Sequence, residues 1–169
     1  LGSLTITLPE DAGMFAGSSI YAGIVYGDIA NGLSGGGGFN ANQEVTSYYV
    51  GTTLTTGLEG LSVGAALDYR DNGVNFGGNQ DNYAWTAAFY ASFAATEKLK
   101  LNGRAEYAKG SNGTWYGSAG SGNDDNQLGA LTVTADYSLW ANVVTRAELR
   151  WDHNMGGDDI YHGTDEDRD

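Results

Sequence analysis

Arg146, Glu148, Arg150 and Asp152 occupy alternate positions of one stretch, and Arg104 with Glu106 repeats the motif earlier in the chain. In an extended strand alternate residues share a face, so each set forms a column of opposed charges. Asp136 falls on the segment between the two columns, and Asp68, Arg70 and Lys100 take equivalent positions on their own segments. Facing a narrow water-filled space, such columns create a transverse field that sets ion selectivity. They are equally able to pair across strands and fill the space as a polar plug, and composition does not choose between these uses. Catalytic chemistry has little to build on. The chain holds two histidines, His153 and His162, no Gly-x-Ser-x-Gly motif, and a glycine run, 35–38, without the lysine of a phosphate loop. It is therefore expected not to be an enzyme.

The elements that position these charges alternate throughout. From Leu61 the apolar set is Leu61, Val63, Ala65, Leu67 and Tyr69, and the residues between them are Ser62, Gly64, Ala66, Asp68 and Arg70. Residues 83–95 place Tyr83, Trp85, Phe89 and Phe93 on one side. Residues 99–108 oppose Leu99, Leu101 and Tyr107 to Lys100, Arg104 and Glu106. Residues 131–139 and 143–152 do the same, with Tyr137 and Trp151 on the apolar side. Residues 20–27 and 48–55 alternate less cleanly, and a short opening strand fits residues 4–8. A soluble barrel hides its apolar face and exposes its charges, whereas an outer-membrane barrel is apolar outside and wet inside. Charges confined to one interior face favour the second arrangement.

The predicted fold is all-β, an antiparallel up-and-down transmembrane β-barrel with seven to eight strands in residues 1–169, whole or as a segment of a larger barrel. Each strand holds roughly 9–11 residues, enough to cross a bilayer at a tilt of about 45°. No apolar run approaches the ~20 residues of a spanning helix. Connections alternate between short links at 56–60, 96–98 and 139–142 and long ones near 28–45, 71–82 and 109–127, with an acidic tail at 153–169. Short turns at one end and long loops at the other match the periplasmic and extracellular ends of such barrels. The tail offers no closing strand and the start has neither Met nor leader, so a segment of a longer barrel is the expectation.

Composition agrees. The 169 residues include 27 Gly, 11 Tyr, 4 Trp and no Cys, with a formal net charge of −13. That acidity, with no basic patch, argues against nucleic acid. The predicted lipid-facing aromatics are Tyr69, Tyr83, Trp85, Phe89, Phe93, Tyr107, Tyr137 and Trp151. The predicted lumen-facing charges are Asp68, Arg70, Lys100, Arg104, Glu106, Asp136, Arg146, Glu148, Arg150 and Asp152. No cofactor is expected beyond a weak Ca²⁺ site at Asp158, Asp159, Asp165 and Asp167, whose spacing is not that of an EF-hand. Trp115 and Tyr116, in a glycine- and serine-rich loop, are candidates for docking a carbohydrate or a partner protein, and homo-oligomers through the long loops are a further expectation.

Residues 131–153 combine Tyr137, the link Leu139-Trp140-Ala141-Asn142, alternating Arg146, Glu148 and Arg150, and a terminal Asp152-His153. They resemble the penultimate hairpin of the OmpL-like outer-membrane porin family of Gram-negative bacteria. The hairpin at residues 46–69 is similar to an internal hairpin of the same family. The resemblance implies an outer-membrane location, lipid as surroundings, and passive diffusion of small hydrophilic solutes or ions. The alternative is a non-conducting barrel that anchors or binds through its loops.

Overall fold

A computed structural model describes residues 1–28, 44–74, 81–111 and 125–156. The strands are β1 (Gly2–Thr7), β2 (Ser19–Asp28), β3 (Glu44–Thr55), β4 (Leu61–Val74), β5 (Asp81–Ala94), β6 (Leu99–Gly110), β7 (Asn126–Trp140) and β8 (Val143–Gly156), with a 3₁₀ turn at Gly13–Phe15. They form one antiparallel sheet in sequence order.

The closed barrel expected from the sequence is not what the structure holds. β1 pairs with β2 and β8 with β7, and no ladder joins β8 to β1. Closure needs first and last strands of matching reach and stagger. β1 has 6 residues and β8 has 14, so the first strand spans less than half of the last. Those two outer edges are unpaired among the described residues.

Side-chain chemistry explains both the strands and their turns. Alternating β-branched, aromatic and small residues suit a pleated surface covered on one side. Both short turns that follow β3 and β5 open on a threonine. Thr56 Oγ1 accepts from the Leu58 N–H at 3.2 Å and donates to the Leu61 carbonyl at 2.8 Å. Thr96 Oγ1 accepts from the N–H groups of Lys98 and Leu99 at 3.2 and 2.9 Å. Gly60 closes the first turn at φ 76°, a conformation that suits glycine. The β1–β2 link is fixed differently: Ser18, almost fully buried, accepts from the Thr55 N–H at 3.0 Å, and Thr55 Oγ1 donates to the Ala16 carbonyl at 2.7 Å.

The strands run further than their alternation suggests. β4 continues to Val74 past a register shift, β6 continues to Gly110, and β7 starts at Asn126. The two ends of each of the predicted loops at 71–82 and 109–127 are therefore strand. Glycine, asparagine and aspartate at those ends read as loop, but the ladder with a neighbouring strand holds them extended.

There is no hydrophobic core of the soluble kind. Among the described residues Ala88 is the sole buried apolar side chain, while Leu149, Trp151 and Val133, on one face, are 75, 59 and 53% exposed. A sheet that leaves such residues open on one face needs lipid or a partner to cover them.

Candidate functional site

The register converts the sequence columns into lateral rows. One row runs Thr53, Gly64, Tyr90, Arg104, Thr132, Arg150. The adjacent rows carry Gly51, Ala66, Ala88, Glu106, Ala130 and Asp152 on one side, and Thr55, Ser62, Ser92, Asn102, Thr134 and Glu148 on the other. All ten charges singled out from sequence lie on this polar face.

Seven of the ten are knit together. Arg104 pairs with Glu106. Arg150 reaches Glu106 at 3.8 Å across two strands and holds Asp152 on its own strand at 2.7 Å. Arg146 Nε donates to Asp136 Oδ1 at 2.7 Å, Asn102 Nδ2 donates to Asp136 Oδ2 at 3.1 Å, and Ser92 Oγ donates to Asn102 Oδ1 at 2.8 Å. A chain of polar contacts thus crosses from β5 to β8. Thr134 donates to Glu148 at 2.9 Å, and the Arg104 guanidinium lies 5.5 Å from the centre of the Tyr90 ring. Asp68 and Arg70 share the face but stand outside this network, and Lys100 joins it only through the attraction of its charge to Asp136. Asp68 sits opposite Tyr49 and Thr86, Arg70 opposite Ser47 and Ala84, and Lys100 opposite Asp136 and Ala94.

Two hollows open on the polar face. One, of about 280 Å³, is lined by Arg104, Glu148 and Arg150 among others; the second, of about 250 Å³, lies towards β2 and shares Tyr90 and Ser92 with the first. Neither is a closed pocket of the kind that holds a reacting group.

The eight aromatics predicted to face lipid share the opposite, apolar face. Tyr69 and Trp85 are laterally paired near the end that bears the long connections, and Tyr48 stands 6.3 Å from Tyr69. Trp85 lies 5.3 Å from Tyr107. Phe89 and Trp151 fall in one row near mid-sheet, and Phe93 and Tyr137 fall towards the short turns. Charges whose position places them on this face, Glu44, Asp71 and Lys109 among them, occur at the long-connection end. An apolar band flanked by aromatic rings is left between.

One polar cluster escaped the sequence. Tyr83 OH donates to Asp125 Oδ2 at 2.7 Å, and Lys109 Nζ lies 3.1 Å from the same oxygen. Burial alone would raise the Asp125 carboxyl, but the bonds from Tyr83 and Lys109 outweigh it and hold the group below its ordinary value. The available signal was the alternation itself, carried two residues past Tyr107 to Lys109. No set of three metal-ligating side chains occurs among the described residues. The proposed Ca²⁺ ligands Asp158, Asp159, Asp165 and Asp167 lie outside them, as do Trp115 and Tyr116.

Compared with known families, residues 13–169 match the one described as "Putative beta-barrel porin-2, OmpL-like". No curated protein and no solved structure matches the chain.

Proposed function

We propose, from the premise that this chain belongs to the OmpL-like β-barrel porin-2 family, that it forms part of the wall of an outer-membrane channel for passive diffusion of small hydrophilic solutes or ions. The observation that carries this reading is the division of the sheet into an exposed apolar face and a face that bears the strand charges. Apolar side chains meet lipid, and charged ones meet water that solute shares. No step of this function requires a catalytic group or a cofactor. The family name and the aromatic band support an outer-membrane location.

The polar face carries five acidic and five basic side chains, so its field is structured but close to neutral overall. The excess that makes the chain −13 lies on turns, connections, strand ends and tail. Cation preference would then arise at the mouths, by attraction of counter-ions. An eight-strand open sheet encloses no lumen by itself, so conduction requires both edges to be covered, by further strands or neighbouring copies. That open edge is also what favours the second reading, a non-conducting element that anchors or binds through its loops.

The test is single-channel conductance of detergent-extracted protein in a planar bilayer, with the reversal potential taken in a salt gradient. Discrete steps with cation preference support the channel. Silence from protein that is inserted and β-rich overturns it in favour of the anchoring role.

A further inference from the structure

The polar face is divided along its width. Eight of its ten charges lie on β6–β8, whereas the β2–β5 half, apart from Asp68 and Arg70 on β4, carries tyrosines, hydroxyls and small residues. The hollow of about 250 Å³ lies in this second half. Tyr21 borders it on β2 and Tyr90 on β5; between them Gly51 and Ala66 continue the row of Tyr21, and Thr53 and Gly64 continue the row of Tyr90. These small residues make a low floor.

Tyr49 lies flat over that floor. A Cβ at Gly51 would come within 2.4 Å of the Tyr49 hydroxyl oxygen and 2.9 Å of Cζ, so the ring occupies the space that glycine leaves. Tyr49 and Tyr90 remain 40 and 36% exposed. A ring pressed against its own strand by one face presents the other to solvent. No residue lining the hollow is charged. The hydroxyls of Tyr21, Tyr49, Thr53, Ser62 and Tyr90 hold no hydrogen bond among the described residues.

From this arrangement we infer that the hollow is a binding site for a neutral saccharide, one pyranose ring lying on Tyr49 between Tyr21 and Tyr90. The face of an aromatic ring is electron-rich and attracts the polarised C–H groups on the flat side of a pyranose. The rim of the sugar carries hydroxyls that are donors and acceptors at once, as are the free hydroxyls around the floor. An acyl chain in the same place would bury those hydroxyls unpaired, at a cost. An ion would meet no charged side chain in the lining, since Asp68, opposite Tyr49, and Arg104, over Tyr90, stand outside it. A sugar satisfies both the ring and the rim.

The inference rests on the polar face being the solute-facing one, as proposed above, yet its test does not need conduction. The full chain is solubilised in a detergent without a sugar headgroup and presented with maltotriose, and saturation-transfer NMR reads contact with the sugar's C–H protons. Transfer is expected to maltotriose and not to mannitol, an acyclic polyol without a pyranose face. Tyr49→Ala should weaken binding about fivefold, the worth of one stacked ring, while Tyr49→Phe keeps most of it. Gly51→Val, which displaces the ring, should weaken it as Tyr49→Ala does. Tyr21→Ala, at the far flank, gives an independent reading if either variant loses its β-sheet circular dichroism. Equal transfer to mannitol, or binding unchanged in Tyr49→Ala and Tyr21→Ala, overturns the site, as does displacement of maltotriose by glucuronate at lower concentration. Silence in the bilayer with transfer intact removes the channel and leaves the site standing. The reverse removes the site alone.

Discussion

At the scale of the residue, Arg104, Arg146 and Arg150 each lean on a carboxylate in a setting open to water, where such pairs add little to stability. Their worth is in the field. Replacing all three by glutamine leaves the polar face with an acidic surplus, so the reversal potential in a salt gradient should move towards stronger cation preference while the thermal midpoint changes little. An unchanged potential would mean that solute does not pass this face. Asp125 behaves differently, because its partners are a tyrosine and a lysine at the rim. Its carboxyl is held below the ordinary value of about 4, so the folded state binds this proton less readily than the unfolded state. The stability it contributes is present above that ordinary value and is lost as pH falls through the folded one. Asp125→Asn should flatten this acid limb, measured as thermal midpoint against pH, and leave neutral-pH conductance unaltered.

At the scale of the element, alternation decides which substitutions a strand accepts. Leu67 and Ala87 are paired neighbours on the apolar face. An arginine at either should cost about 2–4 kcal/mol if lipid covers that face at mid-bilayer depth, read from denaturant unfolding in vesicles. The control belongs on the opposite face, and the register selects it. Thr132 is polar but lies between Arg104 and Arg150 in one lateral row, so a third guanidinium there meets two others. Thr86 lies opposite Asp68, and Thr86→Arg should be tolerated. If Thr86→Arg costs more than Leu67→Arg, the faces are reversed. The β3–β4 turn gives a separate test. At Gly60, φ is 76° and an added Cβ would meet the Ala94 carbonyl oxygen at 3.0 Å, so Gly60→Val should destabilise the hairpin by about 1–3 kcal/mol. Strand existence was legible from residues such as Leu61 to Arg70 because period-2 alternation is a local property. Strand ends were not, since Asn126 and Gly110 look like loop until a neighbour's ladder is known. Lys109 and Asp125 were missed for that reason.

At the scale of the whole molecule, the open edges govern function. Among the described residues β8 presents 14 residues of unpaired edge and β1 presents 6, and bare edges are templates for another strand. Size-exclusion fractions of the solubilised chain should conduct when they are larger than the single chain and be silent when they are not. Conductance from the single chain would require a closure that the described strands do not make. The amino-acid sequence by itself determined the antiparallel meander, the side of each strand that carries charge, and the short turns after β3, β5 and β7. Each of these depends on neighbours along the chain, through the pleat and through turn chemistry. Tertiary structure alone decided that the described strands form an open sheet, that Arg150 spans to Glu106, and that Tyr21, Tyr49 and Tyr90 line one hollow. Those outcomes depend on lateral register and on the relative lengths of strands far apart in sequence, and no local periodicity encodes either.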